Sequence, residues 1–222
     1  MALTLVATPI GHKDDVSQRA LQQLRASPVI ILEEFKESTQ FLRSQGITGK
    51  RYETLNEHST SQDIQSLADL CEKEDVSLIT DCGTPGFCDP GAALVKECRR
   101  RRISVRSLPG PSSLMTLLSL SSDRLDEFVF RGFPPAETEA RKKCWLELRT
   151  EKRAMVIMDT PYRFQKILTE LNEYLPQRRC LIACDLTQET ERIIEDLPVN
   201  IVKMDLPKKA EFMVLISPDL KR

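Results

Sequence analysis

Aromatic side chains make up only 5% of the 222 residues, with a single tryptophan, Trp145. No series of base-stacking platforms is therefore written into the chain. Histidine occurs only twice, as His12 and His58, and there is no Cys-x-x-Cys pair to join them, so the spacing suggests no metal centre. The seven cysteines are odd in number and follow no framework spacing. They read as reduced thiols used as small apolar residues. Excess charge is missing too: 32 Lys+Arg stand against 33 Asp+Glu, a net charge of -1. That excludes a strongly basic nucleic-acid coat and a polyacidic tail, and leaves open an RNA substrate held by a local patch. No window approaches the roughly 20 consecutive apolar residues of a membrane span. The opening Met1-Ala2-Leu3-Thr4-Leu5-Val6 has no basic flank and is too short for a signal peptide. The expectation is a soluble, cytoplasmic protein with no membrane partner.

What the chain does have is a regular alternation of short apolar runs and helical patterns. Residues 3–7, 29–32, 52–55, 76–80 and 103–108 read as strands. Helices are expected from Asp14 and Asp15 to Leu24, over 38–44 with Gly46 closing it, from the capping box Thr60-Ser61-Gln62-Asp63 onward, and over 92–101. Repeated β-α-β predicts a mostly parallel sheet covered on both faces. The pattern breaks at Leu108-Pro109-Gly110-Pro111-Ser112-Ser113, ahead of an apolar helix over 114–120. A second alternating set follows, with strands over 128–133, 154–158, 180–184 and 212–217 and helices over 137–149 and 161–174. The fold class is α/β, in two α/β domains over 1–108 and 128–222, joined by 109–127, with a cleft between them.

The strongest local signal is the loop 81–91, which packs three Gly and two Pro into eleven residues between a strand and a helix. Ligands of open α/β sheets bind beyond the carboxyl ends of the strands, and glycine lets them approach the main chain. The loop lacks Gly-Lys-Ser/Thr and Gly-x-Gly-x-x-Gly, so it is neither a P-loop nor a dinucleotide fingerprint. A stiff turn with a helix cap is the alternative. Thr8-Pro9-Ile10-Gly11, Pro109-Gly110-Pro111-Ser112-Ser113 and Asp159-Thr160-Pro161-Tyr162-Arg163 follow strands in the same manner. Together these loops suggest one crevice lined by backbone.

Four stretches carry a resemblance: Val6-Ala7-Thr8-Pro9-Ile10-Gly11; Asp81-x-Gly83-Thr84-Pro85-Gly86-x-x-Asp89-Pro90-Gly91; Leu108-Pro109-Gly110-Pro111-Ser112; and Gly132-Phe133-x-Pro135. In this order they resemble the tetrapyrrole (corrin/porphyrin) methylase family of S-adenosylmethionine-dependent methyltransferases. They are most similar to its bacterial branch that methylates a cytidine ribose 2′-hydroxyl in small-subunit rRNA. The resemblance implies two α/β domains with S-adenosylmethionine (SAM) between them, S-adenosylhomocysteine as product, and a homodimer. It places cofactor contacts on Ile10, Asp81, Gly83, Thr84, Phe87, Ser112 and Ser113, and in the second domain on Met158, Ala183 and Pro207. Several stretches depart from that branch, among them Glu33-Glu34-Phe35-Lys36, Asn56-Glu57-His58-Ser59 and Cys184-Asp185-Leu186-Thr187. They mark a divergent subgroup and leave three acceptor readings: rRNA ribose, a tetrapyrrole or other small molecule, or no acceptor at all in a non-catalytic SAM-binding protein.

In-line methyl transfer requires alignment and exclusion of water, and the sulfonium is itself the electrophile, so no metal is required. A ribose hydroxyl gains from a general base or a nearby cation. Glu33 and Lys36 are the leading catalytic candidates, with Glu34 and Glu57 beside them, since all follow strands expected to end near the crevice. Candidate RNA contacts are the basic clusters Arg99-Arg100-Arg101-Arg102, Arg141-Lys142-Lys143, Arg178-Arg179 and Lys208-Lys209, or solvated faces if they bind nothing.

Overall fold

The computed structural model describes residues 1–219; residues 220–222, the tail of the expected second domain, lie outside the described residues. The chain divides into two units, Met1–Ser112 and a second that starts at Ser113. The first unit contains β1 (Ala2–Val6), α1 (Gln18–Ala26), β2 (Val29–Leu32), α2 (Phe35–Ser44), β3 (Arg51–Thr54), α3 (Ser61–Lys73), β4 (Val76–Leu78), α4 (Ala92–Arg100) and β5 (Ser104–Leu108). The helix expected from Asp14 begins later. Asp14 and Asp15 lie in a 3-10 turn, Lys13–Asp15. Ser17 is the cap that opens α1, its hydroxyl accepting the Ala20 N–H at 3.1 Å. The capping box at Thr60 forms as read, with Asp63 accepting the Thr60 N–H at 2.7 Å.

The five strands form one sheet in the order β3-β2-β4-β1-β5, with every pair parallel. Why β2 is the unbroken apolar run Val29-Ile30-Ile31-Leu32 follows from its two buried faces. Val29 and Ile31 pack with Leu67 and Cys71 of α3 and Leu94 of α4. Ile30 and Leu32 pack with Leu24 of α1 and Leu42 of α2 on the other side. The sheet is thus doubly wound. Because all its strands run one way, the loops that leave their carboxyl ends gather at a single edge.

In the second unit come α5 (Ser113–Ser119), β6 (Phe128–Gly132), α6 (Thr138–Thr150), β7 (Ala154–Asp159), α7 (Phe164–Tyr174), β8 (Cys180–Cys184), β9 (Arg192–Asp196), α8 (Pro198–Ile201) and β10 (Phe212–Ile216). Its sheet has the order β6-β7-β10-β8-β9. Only β6 and β7 run parallel; β10 pairs antiparallel with β7 and β8, and β9 antiparallel with β8. The β-α-β rhythm of the first half does not extend here. Strand β9 escapes sequence reading because it is a half-exposed edge with charged ends, Arg192 and Asp196, and lacks a clean alternation.

Two buried features of this unit change how its sequence reads. The single tryptophan, Trp145, is 1% exposed and stacks on Tyr174 with ring centroids 5.9 Å apart. Arg141, counted above in a basic cluster, is 2% exposed and makes no surface charge. Its guanidinium donates to both Glu170 oxygens at 2.6 and 2.8 Å and to Asp159 Oδ2 at 2.8 Å. It also donates to the carbonyls of Pro134 and Pro135 at 3.3 and 3.1 Å. One planar cation with five donors thus ties the loop after β6, the end of β7 and the middle of α7.

Arg141→Met leaves Glu170 without its cation and Asp159 with Arg163 alone, and is expected to cost about 3–5 kcal/mol. Urea unfolding followed by Trp145 fluorescence measures it. Adding Glu170→Gln in the same chain should recover part of the loss.

Candidate functional site

The site is built where β1, β2, β4 and β5 end. The chain leaving β1 turns at Thr8, and Thr8 and Gly83 exchange both main-chain hydrogen bonds, Thr8 N to Gly83 O at 2.9 Å and Gly83 N to Thr8 O at 3.1 Å. The Thr8 hydroxyl, buried, donates to the Thr80 carbonyl at 3.1 Å. Thr84 Oγ1 donates to the Pro111 carbonyl at 3.1 Å, joining the loop after β4 to the loop after β5. A side chain at Gly110 would place its Cβ 2.8 Å from the Ala7 Cβ, closer than real contacts permit, so glycine there lets the β5 loop lie against the β1 loop.

The loop after β2 is tied in by carboxylates. Glu33 accepts the Asp81 N–H at 3.3 Å, while Asp81 accepts the Glu34 N–H at 3.3 Å and the Ser38 hydroxyl at 3.0 Å. Burial pushes the Glu33 carboxyl above its ordinary range, the Asp81 N–H it accepts opposes this, and the charges of Asp89, Asp81 and Glu34 add to the rise. Burial likewise raises Asp89, with Asp81 adding to it and a hydrogen bond from Thr80 opposing. Glu33 and Asp89 also line an open cleft of about 580 Å³, together with Glu57, His58, Cys88 and the start of α4.

Of the positions expected to contact a cofactor, two meet here. Ile10 and Gly83 are neighbours, the Ile10 methyl 3.6 Å from where a Gly83 Cβ would be. Gly83 holds φ at +79°, a conformation open to glycine and strained for other residues. Its N–H and C=O are engaged by Thr8, so what it offers a ligand is mostly bare Cα surface rather than free amide groups. Phe87 is 48% exposed on the same loop, and Ser112 and Ser113 are half-buried where α5 begins. Of the two catalytic candidates, Glu33 stands inside the carboxylate cluster. The Lys36 side chain is 89% exposed on α2 with its ammonium 3.9 Å from Glu37, which places it on the surface.

In the second unit Met158 and Ala183 flank Met213, the three forming one row across β7, β10 and β8. The row lies on the face opposite the core that α6 and α7 cover, where Ile157, Ile182 and Val214 point. Pro207 is half-buried, and its carbonyl accepts the Gln165 amide at 2.6 Å. Sequence reading gave no role to Asp89, Thr80 or Ser38, and counted Arg141 among candidate RNA contacts, which its burial contradicts. Asp89 carried a signal in its Asp-Pro-Gly motif; Arg141 carried none, since a buried arginine looks like any other charge in a helix.

The family model for tetrapyrrole (corrin/porphyrin) methylases matches residues 2–198. The chain belongs to that family. Several relatives carry the name ribosomal RNA small subunit methyltransferase I. The one from Vibrio cholerae is 34% identical over 96% of this chain and 76% of its own length, and that from Rickettsia prowazekii is 35% identical over 99% and 79%. Among solved structures, a diphthine synthase superposes with a TM-score of 0.74 at 16% identity, covering 98% of this chain and 90% of its own, and the methyltransferase CobJ with 0.67 at 15%, covering 100% and 95%. These likenesses identify the fold. The methylase is an S-adenosylmethionine-dependent enzyme, and its residues suit that donor. SAM carries a sulfonium and an ammonium, and raised carboxyls at Glu33 and Asp89 are groups a nearby cation restores to their charged form. Among its described residues no helix is long and apolar enough to cross a membrane. All seven cysteines are free thiols, five of them buried, and burial raises Cys180 to about 12 and Cys184 to about 11.

Gly110→Ala sets two methyl groups in collision at the Ala7 contact. It is expected to lower stability by about 1–3 kcal/mol and to weaken donor binding measured by calorimetry, and Ala7→Gly in the same chain should recover part of both.

Proposed function

We propose that this methyltransferase moves the methyl group of SAM to a ribose 2′-hydroxyl of small-subunit ribosomal RNA. The observation that carries the ribosomal RNA acceptor is the name borne by relatives that align over almost the whole chain at 34% and 35% identity; the ribose 2′-hydroxyl follows from the motif resemblance. Bound at the loops, the donor supplies a methyl group already activated by its sulfonium. The tied loops hold Ile10, Asp81, Gly83, Thr84, Phe87, Ser112 and Ser113 for it; Met158 and Ala183 are assigned to the adenine and Pro207 to the rim. The protein's task is alignment and exclusion of water, and both gain from an edge whose loops fix one another.

Glu33 is the proton acceptor in this reading. A ribose hydroxyl is weakly acidic, and a carboxylate with a raised pKa accepts its proton more readily than an ordinary one. The acid cluster gives a pH dependence with a definite sign. Glu33 and Asp89 are protonated over a wider acidic range than free carboxyls. A cation favours their ionised forms, so donor affinity rises with pH through the mildly acidic range and binding there releases protons. The homodimer and the cytoplasmic location belong to the same proposal, testable by sedimentation and cell fractionation.

A second reading keeps the fold and exchanges the acceptor for a small molecule. The carboxylate-rich cleft at Glu33, Glu57 and Asp89 favours it, because carboxylates repel a polyanion. Tritiated-methyl transfer to small ribosomal subunits lacking the modification, run beside a tetrapyrrole precursor, separates the two. Label in the RNA supports the first and label only in the small molecule overturns it.

Gly83→Val forces a branched side chain into a left-handed backbone position and is expected to abolish SAM and S-adenosylhomocysteine binding in calorimetry. Gly83→Ala, strained less, should weaken it while the fold persists by circular dichroism. Normal binding by both would place the donor elsewhere. Glu33→Gln is expected to lower kcat about 10²-fold or more, to remove the acidic limb of the kcat profile, and to reduce proton release on SAM binding.

A further inference from the structure

We infer that Tyr162, Lys208 and Lys209 form an RNA-docking platform on the second unit, the tyrosine stacking on an unpaired base and the lysines meeting the phosphates beside it. The inference rests on the RNA acceptor proposed above and names the surface that would hold it.

Of the four basic clusters in the sequence, three have members that the fold uses internally. Arg101 is paired with Glu97 at 2.6 Å and Asp69 at 2.5 Å, and Arg100 with Glu97 at 2.6 Å. Arg141 is buried against Glu170 and Asp159. Arg178 is buried and donates to the carbonyls of Glu151 and Arg153 at 2.7 and 2.9 Å. Arg179 beside it lies 3.8 Å from Glu195. The fourth cluster differs. Lys208 and Lys209 are exposed, and the one carboxylate that feels Lys209, Glu211, is two residues along the chain and leaves its ammonium over an aromatic ring.

Lys209 sets its ammonium over the ring of Tyr162, 4.0 Å from the centroid. Such a contact fixes a ring electrostatically. Tyr162 is nevertheless 80% exposed, the most exposed large aromatic of the chain. One face carries a cation and the rest of the ring meets solvent. The segment bearing the lysines is anchored, since Gln165 of α7 donates to the Pro207 carbonyl at 2.6 Å. Arg163, next to Tyr162, is held by Asp159 at 3.2 Å, which locks the turn that presents the ring. Lys166, exposed on the first turn of α7, adds a further cation. An aromatic face backed by cations is the combination that binds single-stranded nucleic acid, through base stacking and phosphate neutralisation. The acceptor site of the first unit is rich in carboxylates. It does not attract a polyanion, so the affinity for RNA must come from elsewhere, and this patch supplies it.

The test uses labelled single-stranded fragments tiling small-subunit rRNA, titrated over a salt series, with methyl transfer to whole small subunits in parallel. Lys208→Ala/Lys209→Ala should weaken binding and make the slope of log K against log salt shallower by about 1.4, at ~0.7 per phosphate contact. Tyr162→Ala should weaken binding about tenfold with the slope unchanged, and Tyr162→Phe should bind as the wild type does. In methyl transfer the loss should fall on the KM for RNA rather than on kcat. Lys13→Ala/Lys73→Ala, two exposed lysines of the first unit outside the basic clusters, is the control expected to change nothing. If the wild type methylates RNA and the Tyr162 and lysine variants match it, the platform is refuted and the rRNA function stands. Equal weakening by the control pair refutes the platform as well. A wild type that neither binds nor methylates RNA overturns both.

Discussion

The paired hydrogen bonds between Thr8 and Gly83 are the constraint on which the carboxyl edge of the first unit depends. A parallel sheet delivers its loops to one edge but does not tell them how to lie. Here two loops from neighbouring strands make a single antiparallel bridge beyond the end of the sheet. The bridge demands a left-handed residue at Gly83 and consumes its amide. From it the other contacts follow. Thr84, one residue on, reaches the loop after β5; Asp81, two residues back, reaches the loop after β2. The positions proposed to bind the donor in this unit are therefore held relative to one another before any ligand arrives, which is what preorganisation requires.

The second unit solves a similar problem with charge. The loops after β6 and β7 are fastened by Arg141, through two proline carbonyls and the Asp159 carboxylate. Asp159 then holds the Thr160 amide at 2.8 Å and Arg163 at 3.2 Å with its other oxygen. A buried ion network is a costly way to gain stability. It is an effective way to fix geometry, because a planar guanidinium satisfies its partners in few arrangements. That rigidity passes directly to Tyr162, which sits between Thr160 and Arg163.

How much of this is legible in the sequence depends on range. The central strands β1, β2 and β4 of the first sheet are legible because they are buried on both faces; the edge strands β3 and β5 are largely exposed, and only their place between helical patterns marks them. The capping box at Thr60 is local and reads at once. The loop 81–91 declares itself by its glycines and prolines, and the family motifs name the rest. Reading fails where partners are far apart in sequence. Ser17 takes the helix start from Asp14 because the chain is extended at Val16, with ψ of 132°. The antiparallel half of the second sheet is hidden because β10 inserts between β7 and β8 from the end of the chain. The pairing of Glu33 with Asp81 spans 48 residues and has no local signature.

Charge shows the limit most sharply. A near-neutral sum and four basic clusters say nothing about which cations face water. Arg141 and Lys142 are adjacent, and one is buried in an ion network while the other is solvated. The difference is set by the 3.6-residue turn of α6, which aims Arg141 with Cys144, Trp145 and Leu148 into the core. Carboxylates gather where the first sheet ends, and Lys208 and Lys209 stand exposed beside Tyr162 in the second unit. A cationic methyl donor and a polyanionic acceptor call for opposite fields. With the RNA acceptor proposed above, the methylase has reason to keep the two kinds of surface on different elements.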